Sequence, residues 1–211
     1  MNSHSSRFHG KQQNLIGQEF LSTLNFDENS FEFNRLTLIY RRCCEKSRTS
    51  NLTREGFRDL LSTMFDVKDE NIAERLFLLI GQGEKFLSLK QFLSAINYLI
   101  FADESSRLRL IFRVYDVSAD GNLQREELFA FLRQDLPMIN EKEDADAILN
   151  EFLTYIFKKF DKDQDGLISY DDFYKTCQEY PTLPQCFGQV LPNNFRQRTI
   201  RFLLNGKVNM N

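Results

Sequence analysis

The sequence predicts an all-α protein made of four helix–loop–helix units arranged in two lobes. Three observations predict it. Four stretches align in one frame, with Leu52, Leu87, Leu123 and Ile168 at position 8 of each central loop, spaced 35, 36 and 45 residues apart. Apolar residues flank every loop at helical spacing, as amphipathic helices crossing at a loop require. The 211 residues suit two compact lobes of about 100 residues each.

Residues 1–13 (MNSHSSRFHGKQQ) are polar and lack periodicity, so a disordered N-terminus is expected. The N-terminal lobe is read over 14–102. It opens with a leading helix carrying Leu15, Ile16, Phe20, Leu21 and Leu24. In its first unit Tyr40 and Cys44 precede the loop and Phe57 follows; in its second, Ile80 precedes and Phe92 follows a loop one residue shorter. The C-terminal lobe is read over 103–192. Ile111 and Tyr115 precede its first loop and Leu128 follows; Ile156 and Phe160 precede its second and Phe173 follows. An insertion around NEKEDADAI, rich in Glu141, Glu143, Asp144 and Asp146, reads as a solvated linker leading into a helix N-terminus.

The loops differ sharply in metal chemistry. A hard divalent cation such as calcium takes oxygens from positions 1, 3, 5, a carbonyl at 7, position 9 and a bidentate carboxylate at 12, with Gly at 6 for the turn. The third loop, DVSADGNLQREE, offers Asp116, Ser118, Asp120, the carbonyl of Asn122, Gln124 and Glu127 around Gly121. The fourth, DKDQDGLISYDD, offers Asp161, Asp163, Asp165, the carbonyl of Leu167, Ser169 and Asp172 around Gly166. Asp172 is one methylene shorter than the Glu expected there. A monodentate arm and tolerance of Mg²⁺ follow, since Mg²⁺ prefers six closer ligands. The first loop, EKSRTSNLTREG, ends on Gly56 and the second, GQGEKFLSLKQ, has Glu84 as its one acid and ends on Gln91. Neither has the ligands for calcium.

Composition narrows the function further. A formal charge of −3 excludes a global basic surface, so nucleic acid is not an expected partner. No apolar run is long enough to span a bilayer, and with Asn2 after Met1 no N-myristoyl anchor is expected. Cys43, Cys44, Cys177 and Cys186 form no CxxC pair, which suits reduced thiols in the cytoplasm. His4 and His9 lie in the polar N-terminus, so no folded histidine activates a nucleophile, and no enzyme is expected.

The tail, 193–211, combines Ile200, Phe202, Leu203 and Leu204 with Arg196, Arg198 and Arg201. It reads as a closing helix packed on its own lobe. The alternative is a segment that meets an acidic partner or fills the calcium-exposed groove when calcium is low. Phe112, Phe129, Phe131, Phe152 and Phe173 are the groove or core candidates of the C-terminal lobe.

The four-unit frame, the two acidic loops, FEFNRLTLIY, REGFRDLLSTMFDVKDENIAERLF and the closing CFGQVLP resemble the EF-hand calcium sensors. Within them the likeness is to the calaxins, relatives of the neuronal calcium sensors, over residues 14–192. Asp at position 12 of the fourth loop is a shared feature. The second loop departs from the family, where an acidic loop ends in Glu. The resemblance implies a calcium-responsive modulator of ciliary or flagellar beating, located in the axoneme and partnered by outer-arm dynein or its docking complex. Two other roles fit the same residues: a constitutive structural or adaptor subunit with a metal-stabilised C-terminal lobe, and a phosphatase regulatory subunit.

Overall fold

The computed structural model describes residues 30–134 and 142–205 and is all-α apart from two short β ladders. The chain divides into two compact units. The first holds residues up to Ala102 together with the chain from Leu191 onward, and the second runs from Asp103 to Val190.

In the first unit, α1 (Phe31–Lys46) and α2 (Arg54–Leu60, prolonged by a π turn over Leu61–Phe65) flank the first loop. Helices α3 (Glu70–Gly81) and α4 (Leu89–Phe101) flank the second. Each helix starts on a capping side chain: Ser30, Thr53, Asp69 and Ser88 accept from backbone N–H groups three residues on. Leu52 and Leu87 pair as an antiparallel bridge, with both reciprocal N–H···O bonds at 3.1 and 2.9 Å. Leu36, Leu52, Phe57, Leu61, Phe65, Leu76, Leu87 and Phe92 are fully buried around that bridge. The Tyr40 hydroxyl donates to the Leu87 carbonyl at 3.0 Å, tying α1 to the second loop. Burial pushes that phenol up to about 12.

In the second unit, α5 (Glu104–Tyr115) and α6 (Arg125–Arg133) flank the third loop, and α7 (Lys142–Phe160) and α8 (Tyr170–Glu179) flank the fourth. Strands β1 (Asn122–Leu123) and β2 (Ile168–Ser169) pair antiparallel with Leu123 opposite Ile168. The position-8 frame therefore fixes both pairings. Phe160 stacks on Phe173 at 5.5 Å and 19°, and Phe187, from a 3₁₀ turn over Leu183–Phe187, meets Tyr115, Phe160 and Phe173. The CFGQVLP segment thus supplies an aromatic plug to this core. Of the five groove candidates, Phe112, Phe131 and Phe173 are core, whereas Phe129 and Phe152 are half-buried.

Two expectations are corrected. Much of the NEKEDADAI insertion is helix, because α7 starts at Lys142 and buries Ala145; residues 135–141 lie outside the described set. The tail packs on the first unit, not on the lobe it follows. Helix α9 (Asn194–Asn205) lies against α1, the π turn and α4. Its Ile200 and Leu204, one turn apart, are buried, and Phe195, Phe202 and Leu203 are exposed. Gln197 Nε2 and Arg201 Nε donate at 3.2 Å to the carbonyls of Leu99 and Ile100. Those carbonyls sit in the last turn of α4, where no partner exists within the helix. The expected disordered N-terminus (1–13) and the stripe read as a leading helix fall on residues 1–29, outside the described set.

Candidate metal centre

One geometric rule governs all four loops. Position 9 is the N-cap of the following helix and position 12 is its N3 residue, and in the second, third and fourth loops these two positions are also the two halves of a capping box, whereas Gly56 in the first loop has no side chain to supply one. The side chain at position 12 decides what the loop becomes.

In the third loop Glu127 reaches across the whole turn. Its Oε1 accepts from the Ser118 N–H at 2.7 Å and its Oε2 from Gln124 N–H at 3.4 Å. Asp116 accepts from the N–H groups of Asp120 (3.1 Å) and Gly121 (3.2 Å), and Asp120 from Asn122 N–H (2.9 Å) and Gln124 Nε2 (2.7 Å). Gly121 takes φ +90° at the turn, a region costly for residues with a Cβ. Burial, with Asp120 and Glu127 close by, pushes the Asp116 carboxyl up to about 6. Asp120 and Glu127 add negative charge beside Asp116, so a bound cation would be favoured there.

In the fourth loop the carboxylate oxygens of Asp161, Asp163 and Asp165 lie within 4.8 Å of one another. Asp161 Oδ2 accepts from Gly166 N–H at 3.1 Å, Asp163 from Asp165 N–H at 3.3 Å and Asp165 from Leu167 N–H at 2.8 Å. Gly166 repeats the turn at φ +88°. Asp172 is buried, and its Oδ2 accepts from the Ser169 hydroxyl at 2.6 Å and the Ser169 N–H at 3.2 Å. The short arm closes on its own helix cap and goes no further.

The donor sets fit a hard divalent cation. Buried side-chain oxygens without a hydrogen-bond partner are rare and costly. Among the described residues four such atoms occur, Thr37 Oγ1, Ser94 Oγ, Ser118 Oγ and Asp161 Oδ1, and the last two stand at position 3 of the third loop and position 1 of the fourth.

The first two loops are closed by other means. A Cβ on Gly56, at position 12, would stand 3.0 Å from Leu52 Cδ1, and one on Gly81 3.1 Å from Leu87 Cδ2. The position-8 leucines thus occupy space beside the missing ligands. Gln91 goes further: its Oε1 accepts from Ser88 N–H at 2.9 Å while its Nε2 donates to the Gly81 carbonyl at 3.4 Å. Its amide bridges the two ends of the loop, a role the metal-ligand reading of position 12 overlooks. The Ser88-x-x-Gln91 pattern was the available signal.

Comparison with known proteins agrees with this geometry. A family model described as an EF-hand domain pair matches residues 105–178. Calaxin of Danio rerio is 31% identical over 150 residues, 71% of each chain. The chain belongs to the calaxin family. Calaxin of Xenopus laevis is 30% identical over 144 residues (68% of this chain, 69% of the relative), and that of Homo sapiens 26% over 143 residues (67% and 68%). As an EF-hand member of this calaxin family, the protein is a non-enzymatic calcium-binding protein of the sensor class. Among the described residues no helix is long and apolar enough to cross a membrane.

Proposed function

We propose that this chain senses calcium in the axoneme of cilia or flagella and acts there on outer-arm dynein or its docking complex. The kinship with calaxins supports the setting, and the two acidic loops support the sensing. The proposed ligands are Asp116, Ser118, Asp120, the Asn122 carbonyl, Gln124 and Glu127 in the third loop. In the fourth they are Asp161, Asp163, Asp165, the Leu167 carbonyl, Ser169 and Asp172, with Mg²⁺ tolerated there. The single observation that carries this assignment is the pair of unpartnered buried oxygens, Ser118 Oγ and Asp161 Oδ1.

When bound, calcium supplies concentrated positive charge to the acids of each loop. Glu127 and Asp172 sit in the first turns of α6 and α8, so repositioning either carboxylate repositions a helix. The shared β1–β2 ladder couples the two loops. Glu127, now holding the Ser118 N–H across the turn, has the longer reach and is the principal lever.

Calorimetric calcium titration with Mg²⁺ present, paired with axonemal pull-down, tests the proposal. A sensor gives dissociation constants on the order of 10⁻⁷–10⁻⁵ M and calcium-dependent partner capture. A constitutive adaptor, the reading favoured by the Gln91 bridge in the first unit, captures its partner equally in chelator.

A further inference from the structure

We propose that the outward face of α9 is a docking surface for an acidic, amphipathic segment of a protein partner. A surface helix of a folded unit ordinarily turns one apolar stripe inward and a polar face to solvent. Helix α9 departs from that pattern. It buries Ile200 and Leu204 against the first unit, yet Phe195 is 76% exposed, Phe202 53% and Leu203 54%. Exposed apolar side chains gathered on one face mark interaction sites, whereas scattered single ones do not.

Helical spacing gathers these. Phe195, Arg198 and Phe202 stand at i, i+3 and i+7, and Arg196, Thr199 and Leu203 repeat that spacing one residue on. The outward face is therefore two adjacent rows, each holding an arginine and neither holding an acid. Among the described residues the Arg196 and Arg198 side chains have no hydrogen-bond or ion-pair partner. Arg201 is engaged, donating to the Ile100 carbonyl and lying over the Phe101 ring at 5.0 Å. Helix α4, against which α9 lies, contains no acid either.

The order of residues along the face decides between kinds of partner. Arg198 sits between Phe195 and Phe202, about one turn from each, in the middle of the apolar surface. A bilayer that took up both rings would draw that guanidinium toward hydrocarbon, whereas helices lying in a membrane interface keep their cations on the polar face. A protein segment can instead set a carboxylate between two apolar side chains and pair with Arg198 there. Aromatic residues and arginine are also enriched at protein interfaces, and lysine, absent from α9, is depleted there. The occupant's chemistry follows: apolar side chains to cover Phe195, Phe202 and Leu203, with carboxylates among them for Arg196 and Arg198. The inference stands apart from calcium sensing, since α9 lies on the unit whose loops lack calcium ligands.

The test uses the full chain in chelator. The probe is an acidic amphipathic peptide of about 18 residues built from Glu, Leu and Phe, long enough to form a helix, and titrated by fluorescence anisotropy. The same peptide with every Glu replaced by Lys is the control. The Glu peptide should bind, the Lys peptide should not, and bound Glu peptide should slow amide exchange over residues 194–205. Arg196→Gln/Arg198→Gln should weaken binding about tenfold at low salt, the scale of two exposed ion pairs. Lys85→Gln/Lys90→Gln, the same charge change at the opposite end of α4, should leave it unchanged. Phe195→Ser/Phe202→Ser should weaken it about a hundredfold through lost apolar burial. Failure of the Glu peptide to bind, equal binding of the Lys peptide, or equal loss in the two charge variants overturns the proposal. So does binding to phosphatidylserine vesicles in place of the peptide, which would make the face a membrane contact. Self-association that Phe195→Ser/Phe202→Ser abolishes also overturns it, by making a second copy the occupant. Should a variant misfold, exchange in the unmodified chain decides: protection by the Glu peptide over 194–205 supports the proposal, and protection elsewhere overturns it.

Discussion

Glu127 and Asp172 occupy the same position in two paired loops, yet Glu127 accepts from Ser118, nine residues back, and Asp172 only from Ser169, three back. One methylene separates an arm that spans its loop from one that stays on its helix cap. Because β1 and β2 join the loops, the two arms act on one core.

The reach of Asp172 sets the first prediction. Asp172→Glu supplies a second oxygen to the fourth loop and should tighten calcium binding there about tenfold, or 1.4 kcal/mol, while reducing competition by Mg²⁺. Asp172→Ala should remove the fourth site and leave the third titrating. Calorimetry with and without Mg²⁺ reads both; an isotherm unmoved by Asp172→Glu would mean this position is no ligand.

Glu127→Gln should be the more damaging change. It removes one of the three carboxylates at ligand positions of the third loop, and although the Gln amide oxygen can still accept from Ser118 N–H, it offers the metal one neutral oxygen in place of two charged ones. Affinity at that site should fall on the order of a hundredfold, given how ligand charge sets EF-hand affinity. Calcium-induced chemical shift changes should vanish over residues 116–127 and persist over 161–172. Loss in both loops would instead assign the two sites to one cooperative step through the β ladder.

Asp116 makes the metal-free third loop sensitive to pH. Its carboxyl is held near 6 by burial, above the ordinary value of 3.8. The folded state therefore holds the proton more tightly than the unfolded chain. Metal-free stability is greatest below about pH 4 for this group and declines as pH rises through 6. Calcium needs the ionised form, so apparent affinity should weaken as pH falls through about 6, with proton release on binding. Calorimetry in buffers of different ionisation enthalpy checks the released proton.

Gln91 should stabilise the first unit with or without calcium. Gln91→Ala removes the acceptor for Ser88 N–H and the donor to the Gly81 carbonyl. A lost cap of this kind costs about 1–2 kcal/mol. Thermal melts in calcium and in chelator should shift by the same amount. A calcium-dependent shift would implicate the second loop in metal binding after all.

The parts of this fold legible in the sequence were those set by local spacing. Leu52, Leu87, Leu123 and Ile168 announce both bridges because position 8 projects toward the neighbouring loop, whatever the ligands do. Position 12 was legible as a ligand but not as a bond. The backward reach of Glu127 and the bridging amide of Gln91 depend on loop closure, which residue identities alone do not fix. The destination of α9 was hidden for a different reason. Amphipathic spacing of Ile200 and Leu204 says that one face is buried, and nothing in it says against which lobe. The deciding contacts join residues about 100 positions apart, Gln197 with Leu99 and Arg201 with Ile100.

Those long-range contacts make the last prediction. Removing the chain after Pro192 strips Ile200 and Leu204 from the first unit and leaves the α4 carbonyls of Leu99 and Ile100 without these partners. Hydrophobic-probe fluorescence should rise in chelator, and amide exchange should accelerate in α1 and α4. Ile200→Ala alone should cost about 2–4 kcal/mol, the range for truncating a buried aliphatic side chain. Because α9 lies on the unit whose loops lack calcium ligands, the rise should be the same at high and low calcium. A rise confined to chelator, with faster exchange in α5 through α8, would return the tail to the calcium-binding lobe.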